Sequence, residues 1–124
     1  MKQVRVSQIG EEIKRVISQL LRTKIKDPRI SDMVSITEVR VTNDLSFAKV
    51  FVSVFGTEDE KNDTLEGLRN AEGFIKKEIG RNVKMRIMPK LIFELDDSVE
   101  ESLRLEKILE EIKTKEEPVE DEDE

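Results

Sequence analysis

The chain has 124 residues, of which 36% are hydrophobic and 40% are charged, and its net charge is -6. This length fits one domain with a modest core, and no apolar run approaches the roughly 18 residues that a membrane span needs. The chain has no cysteine and no histidine. It therefore lacks disulfides, thiolate chemistry, the usual general base and the main transition-metal ligands. Because no signal-peptide core follows the first residues, we expect a cytoplasmic protein.

The negative charge is concentrated at the carboxyl end. Residues 115–124 hold seven carboxylates and one lysine, whereas the first 114 residues hold 21 basic and 21 acidic groups. Binding to nucleic acid depends on the local field rather than on the total charge, so the acidic total does not exclude RNA. We predict one domain over residues 1–113, followed by a disordered acidic tail over 114–124.

Residues 4–25 are predicted to form a helix, because apolar side chains recur at steps of three and four residues. This apolar stripe consists of Val6, Ile9, Ile13, Val16, Ile17, Leu20 and Leu21. Pro28 disfavours helical geometry in the residue before it and so ends the helix. At ~100° per residue, the side opposite the stripe carries three basic side chains, namely Arg15, Arg22 and Lys26.

Residues 34–41 and 47–55 are predicted strands, rich in Val, Ile, Thr and Phe and joined by a short polar turn. In the first strand the apolar phase slips by one residue near Thr37 and Glu38, which indicates a bulge. One face of the second strand carries Phe47, Phe51 and Phe55. We expect these rings to be core residues or to be covered by the C-terminal helix. The alternative is that they stack on unpaired bases.

Thr57 and Glu60 have the spacing of a capping box that begins the next helix. Its apolar stripe contains Leu65, Leu68, Ala71, Ile75 and Ile79. In an unbroken helix Glu72 would lie within this stripe, where an unpaired carboxylate is costly. A break at this point, which Gly73 tolerates, would rotate the carboxylate outward. We therefore predict two helical pieces joined by a kink at Ala71, Glu72 and Gly73.

Residues 83–95 alternate between apolar and polar side chains and predict a third strand, in which Pro89 indicates an edge or a bulge. A last helix is predicted to begin near Asp97 and Ser98. Its apolar stripe contains Leu105, Ile108, Leu109 and Ile112. The order α-β-β-α(kink)α-β-α predicts a single two-layer α+β domain, with a three-stranded sheet and helices on one face.

Six cations follow one another from the kinked helix into the third strand, and Glu78 is the only carboxylate among them. They are Lys76, Lys77, Arg81, Lys84, Arg86 and Lys90. Cations grouped in this way can follow phosphates and release counterions, which favours RNA binding. The alternative is an ordinary solvated face. A second candidate RNA surface consists of Arg15, Arg22, Lys26 and Arg29.

Six stretches of the sequence, in this order and spacing, resemble the ribosome-binding factor A family. They are KDPR at 26–29, VRVTNDL at 39–45, AKVFVS at 48–53, AEGFIKKEIG at 71–80, RIMPKLIF at 86–93 and DDS at 96–98. The similarity spans about residues 4–112. It implies a type-II KH-like fold in which an Ala-x-Gly kink replaces the usual Gly-x-x-Gly loop. Without that loop, the ordinary KH clamp on a single-stranded backbone is not expected.

The resemblance also implies a function. The chain would bind the immature small ribosomal subunit near its decoding region and support late folding and 5′-end processing of the ribosomal RNA. Its partners would be the small subunit with its RNA and a releasing GTPase or other assembly factor. We expect a monomer that uses no cofactor, no metal and no membrane.

Two other functions fit parts of the sequence. A protein-interaction adaptor would use the phenylalanine face or the acidic tail against a basic protein. A hydrolase that relies on carboxylates alone would use Asp44, Asp96 and Asp97, which are better explained as turn and helix-cap residues. We therefore predict a protein that is not an enzyme.

Overall fold

The computed structural model describes residues 2–123, with side chains described for 5–98 and 100–114. Its elements follow in the predicted order, and the α+β fold class is confirmed. They are α1 (Lys2–Thr23), β1 (Val34–Val41), β2 (Phe47–Val54), α2 (Glu58–Asn70), α3 (Glu72–Asn82), β3 (Lys90–Leu95) and α4 (Ser98–Asp123). No helix in the described range is both long enough and apolar enough to cross a membrane.

The three strands form one sheet in the order β1-β2-β3. β1 and β2 make the antiparallel hairpin, and the predicted bulge is present, because their register shifts between Ile36 and Glu38. β3 pairs parallel to β2, so the connection between them must cross over the sheet. α2 and α3 form that connection.

The core lies between one face of the sheet and the helices α1, α2 and α3. Ile13 and Ile17 of α1 are fully buried, as are Val50 and Val52 of β2. α1 crosses β1 closely at Gly10, where a Cβ atom would lie 2.6 Å from the carbonyl oxygen of Val39. Only glycine permits so close an approach between a helix and a strand backbone. This packing fixes which side of α1 remains exposed.

The capping box of Thr57 and Glu60 is present, and the helix breaks where the sequence predicts. Ala71, with φ -89° and ψ 4°, separates α2 from α3. The prediction for Glu72 is wrong, because its carboxylate is not turned into solvent. It is half-buried, accepts the N–H of Leu91 at 3.3 Å and pairs with Lys76 at 3.3 Å. The break satisfies this carboxylate against β3 rather than exposing it.

Gly73 does not supply the break. A Cβ atom at this position would have nothing within 4 Å, and no described glycine has a positive φ. The backbone of Ala71 therefore makes the kink, and the kink requires neither the small size nor the conformational freedom of Gly73.

The third strand is shorter than predicted. β3 begins at Lys90, whose N–H donates to the carbonyl of Ser46 at 2.9 Å, and residues 83–89 form an irregular connection. Pro89 is buried at the end of this connection and has no N–H to donate to a ladder, which explains why pairing starts only after it.

The structure describes residues 114–123 as a continuation of α4, whereas the sequence predicts a disordered tail there. Side chains from residue 115 onward, and Glu124 as a whole, lie outside the described residues. The division into a domain over 1–113 and a tail over 114–124 therefore stays a prediction.

Candidate nucleic-acid interface

Arg15 and Arg22 are on the exposed side of α1, opposite its buried stripe, and Lys26 follows shortly after the helix ends. Helical geometry places the first two almost in line, seven residues apart. No carboxylate of the described residues pairs with any of these three cations. They form a ridge of free positive charge, which we call the α1 ridge (Arg15, Arg22 and Lys26).

A cleft lies on each side of the α1 ridge. The smaller, of about 350 Å³, lies between α1 and α3, and its lining includes Arg15, Gln19 and Asn82. The larger, of about 1380 Å³, lies between the end of α1 and the chain that leads into β1. Arg22 and Lys26 line this second cleft together with apolar groups and with the carboxylates of Asp27, Asp32 and Glu60. The ridge therefore presents its charge beside two concave surfaces.

Glu78 of α3, at the smaller cleft, pairs with Arg81 of the first predicted set and with Lys24, which neither predicted set contains. Its carboxylate is 8% exposed and lies 3.5 Å from the ammonium of Lys24 and 3.0 Å from the guanidinium of Arg81. Arg81 also donates a hydrogen bond to it. The bridge holds the end of α1 against α3, and it partly neutralises Arg81.

The first predicted set divides into free and paired cations. Arg81 and Lys76 are paired, the latter with Glu72. The others are exposed and have no carboxylate partner in the described chain: Lys77, Lys84, Arg86 and Lys90. Lys84 and Arg86 lie in the irregular connection rather than on a strand face. Four of the six predicted cations are thus available to a phosphate.

Arg29, from the second predicted set, is not a free cation. Its guanidinium lies 2.8 Å from the carboxylate of Asp27 and 3.4 Å from that of Glu66. The hydrogen bond from Arg29 lowers the pKa of Asp27 below its ordinary value. Arg29 therefore ties the loop after α1 to α2, which is a role in the fold.

Comparison with known proteins gives one consistent result. The family model described as ribosome-binding factor A matches residues 5–109. The ribosome-binding factor A of Acetivibrio thermocellus is 52% identical over 107 residues, which cover 86% of this chain and 87% of that protein. That of Caldanaerobacter subterraneus subsp. tengcongensis is 50% identical over 114 residues, covering 92% and 93%.

The chain belongs to the ribosome-binding factor A family.

Solved structures of the family share its architecture. The crystal structure of ribosome-binding factor A from Thermus thermophilus matches with a TM-score of 0.64 and 27% identity, covering 73% of this chain and 94% of that one. A homology model of the Thermus thermophilus factor, as fitted into a cryo-EM map of its complex with the 30S subunit, matches with a TM-score of 0.60 and 26% identity, covering 74% and 96%. The residues matched by the family model include both basic sets.

Phe47 and Phe51 of β2, and Phe55 directly after it, are the largest departure from the sequence prediction. They are neither core residues nor covered by α4: Phe47 is 43% exposed and Phe55 is 51% exposed. Phe51 is partly covered by two cations, with Arg40 at 5.2 Å and Lys49 at 5.9 Å from its ring centroid. Strand alternation predicts one face for all three rings, but β2 ends at Val54 and Phe55 lines the larger cleft together with α1 residues. Alternation also could not show that no described element covers Phe47.

Sequence reasoning also missed the charges of this outer sheet face. Arg40 pairs with Glu38 at 2.6 Å, and Lys49 pairs with Glu94 at 3.2 Å. Their cations are therefore largely neutralised, unlike those of the α1 ridge. Stacking of bases on the exposed rings stays a hypothesis. Lys90 pairs with Phe47 in the sheet register and alternates with the buried Leu91, so it adds one free cation to this face. The other free cations of the two predicted sets lie on α1, on α3 and on the segments that follow these helices.

The three aspartates considered for catalysis all have structural contacts. Asp44 accepts hydrogen bonds from Ser46 and Thr42 in the hairpin turn, and these bonds lower its pKa to about 2. Asp96 accepts from Ser98 and Thr37, which also lowers its pKa. Asp97 lies 3.4 Å from the ammonium of Lys61. Within the described residues, no group of acidic side chains is arranged to hold a metal ion.

Proposed function

We propose that this member of the ribosome-binding factor A family binds the immature small ribosomal subunit through its free cations, most of which lie on α1, on α3 and on the segments that follow these helices. Bound there, it holds a conformation of the ribosomal RNA during late folding and 5′-end processing. The family assignment supports this proposal, as does the Thermus thermophilus relative, whose coordinates were fitted into a 30S complex.

The observation that carries the proposal is the set of exposed cations without carboxylate partners in the described chain. Each such cation that contacts a phosphate releases counterions, and this release supplies affinity that falls with added salt. Among the predicted site residues the set consists of Arg15, Arg22, Lys26, Lys77, Lys84, Arg86 and Lys90. Elsewhere in the described chain Arg5, Arg69, Arg104, Lys107 and Lys113 are also exposed and have no ion pair with a described residue. Paired cations contribute less to RNA affinity, because their ion pair with a carboxylate must break before they can contact a phosphate.

The mechanism is occupancy rather than catalysis. While the protein is bound, phosphates on the RNA remain neutralised in one arrangement, and alternative folds of that RNA are disfavoured. Maturation then weakens the site or creates a competing one, and a GTPase or another assembly factor releases the protein. We propose that it acts in the cytoplasm and as a monomer.

The test is charge reversal at two free cations, Lys77→Glu and Lys84→Glu, in the full chain. We expect the double variant to lose at least tenfold in affinity for immature small subunits in a co-sedimentation assay. We also expect its affinity to fall less steeply with salt, by roughly 0.7–0.9 in logarithmic slope for each phosphate that the variant no longer neutralises. Mature subunits are measured in parallel to show whether binding is selective.

The matched control is Lys107→Glu with Lys113→Glu, which makes the same charge change on the exposed part of α4. We expect this control to bind at least as tightly as the wild type, because the change adds no negative charge at the predicted phosphate contacts. In cells that depend on the variant, the 5′ end of the small-subunit RNA should remain unprocessed with the first double variant but not with the control. Equal binding of both double variants would show that Lys77 and Lys84 are not in the interface.

A further inference from the structure

α4 has an apolar face that no other described element covers. Every described side chain from 101 to 114 is exposed. Four of the apolar ones recur at i, i+3, i+4 and i+7 and so lie on one side of the helix. They form what we call the α4 stripe: Leu105, 58% exposed; Ile108, 45%; Leu109, 56%; and Ile112, 48%. This spacing is the one by which amphipathic helices dock in apolar grooves.

The base of α4 is fixed to the domain. The ammonium of Lys61 in α2 is buried, with 6% of the side chain exposed, and lies 2.8 Å from Glu100 and 3.4 Å from Asp97. The hydrogen bond from Lys61 to Glu100 is the main reason that the pKa of Lys61 is raised. A buried ammonium needs such partners. The first turn of α4 is therefore held against α2, and the stripe begins beyond it.

The charge around the stripe indicates what kind of surface it contacts. Residues 98–113 carry five carboxylates and three cations, and residues 114–124 add seven carboxylates against one lysine. Phosphates would be repelled by this excess of negative charge, so RNA is disfavoured. A protein groove with lysine and arginine on its rim is complementary to it.

Two other occupants of the α4 stripe are disfavoured: a second copy of the chain and the chain's own outer sheet face. A second copy would bring two strongly acidic segments together, and like charges repel. The outer sheet face of the same chain offers exposed phenylalanines, but its cations Arg40 and Lys49 are already paired. Docking there would also pull the first turn of α4 away from Lys61.

We propose that the α4 stripe is a docking helix for a basic protein, which receives the four apolar side chains in a groove lined by cations at its rim. This surface is separate from the free cations of the two predicted sets. The protein would thus hold RNA with its domain and a basic protein with α4, each independently of the other.

The test uses the full chain with the exposed Leu109 replaced by the photoreactive residue p-benzoylphenylalanine. The probe is the mixture of proteins extracted from small ribosomal subunits and freed of RNA, so that the result does not depend on RNA binding. We expect one basic protein to be cross-linked and identified by mass spectrometry. Adding the substitutions Ile108→Gln and Ile112→Gln to this chain should lower the yield of that cross-link at least tenfold.

Two controls isolate the stripe. Phe47→Gln with Ile92→Gln removes exposed apolar area from the outer sheet face and should leave the yield unchanged. Lys77→Glu with Lys84→Glu should also leave it unchanged, whatever that variant does to subunit binding. Failure of the RNA proposal and failure of this one are therefore distinguishable.

A charge variant keeps the test decisive if glutamine substitution disturbs α4. Glu106→Lys with Glu110→Lys reverses charge beside the stripe, and we expect it to lower the yield severalfold while the helical circular dichroism is retained. Several outcomes would overturn the proposal: a cross-link to a second copy, to the chain's own sheet, to an acidic protein or to added ribosomal RNA, or no cross-link at all.

Discussion

α1 and α4 are both long amphipathic helices, of 22 and 26 residues, yet they have opposite surroundings. The apolar stripe of α1 is buried against β1, and Ile13 and Ile17 have no exposed surface. The apolar stripe of α4 is about half exposed at every position. An apolar period of 3.6 residues therefore predicts a helix with one apolar face, but it does not predict what packs against that face.

The charges of the two helices differ in the same way. The exposed side of α1 carries the free cations of the α1 ridge, whereas α4 continues into the acidic end of the chain. One chain thus presents separate surfaces of opposite sign, suited to different partners. A net charge of -6 describes neither of them.

Truncation of one stripe residue in each helix tests most directly whether the two stripes differ in burial. Ile17→Ala removes a fully buried side chain and should lower the free energy of unfolding by about 2–5 kcal/mol. Ile108→Ala removes a half-exposed one and should change it by less than ~0.5 kcal/mol. Urea denaturation of both variants measures the difference. A destabilisation of similar size in Ile108→Ala would mean that α4 is packed against the domain.

Much of the fold follows from local patterns in the sequence. The capping box at Thr57 and the bulge before Glu38 each depend on neighbouring residues, and the sequence predicts both. The break at Ala71 is also predicted, but not for the right reason, because Glu72 is held by β3 and Gly73 does not supply the kink. The end of α3 and the start of β3 were harder to predict. The alternation of residues 83–89 is real, but Pro89 cannot join a ladder, and a strand needs a partner as well as a period.

The candidate site was predictable in composition but only in part in pairing. The sequence shows that cations cluster near α3, yet Arg81 and Lys76 are neutralised by Glu78 and Glu72, while Lys77 is free. Arg29 has its partner Glu66 37 positions away. The contact of Arg29 with Glu66 depends on how the chain packs and is not visible in a local pattern. The pairs Glu72–Lys76 and Glu78–Arg81 instead have the i,i+4 and i,i+3 spacing of neighbours on one helix, so the sequence contained the signal for them.

Glu78→Gln tests whether a carboxylate at the junction of α1 and α3 masks two cations from RNA. The change removes the carboxylate shared by Lys24 and Arg81, whose side chains are 58% and 61% exposed. Because both cations reach water, we expect a loss of only about 1 kcal/mol in stability. The freed cations should raise RNA affinity severalfold, measured by filter binding.

Glu66→Gln is the matched control for that prediction. It makes the same change in net charge, but Arg29 keeps its closer partner Asp27. We expect its stability to change by less than ~0.5 kcal/mol and its RNA affinity to rise little. Weaker RNA binding by Glu78→Gln would mean that the bridge shapes the interface more than it masks it.

The smallest expected effect is a pH dependence of stability that a carboxylate of the folded domain causes and a carboxylate of α4 does not. Asp44 has its pKa lowered from 3.8 to about 2 by hydrogen bonds in the β1–β2 turn. A lowered carboxyl pKa contributes stability above the unfolded value, and this contribution is lost as the pH falls through the folded value. The urea midpoint of Asp44→Ala should therefore be below that of the wild type near pH 5, and the gap should close as the pH falls from about 4 to about 2.

The control for this pH dependence lies in α4. Glu106 is exposed, and its carboxylate has no hydrogen bond or ion pair with the described residues, so its replacement removes no such contact of the described structure. Glu106→Gln should have the wild-type urea midpoint at both ends of the pH range. A gap for Asp44→Ala that persists at about pH 2 would show that the turn needs the oxygen atoms of Asp44 but not their charge. Acid would then act on the domain through other carboxylates, and the turn would tolerate protonation.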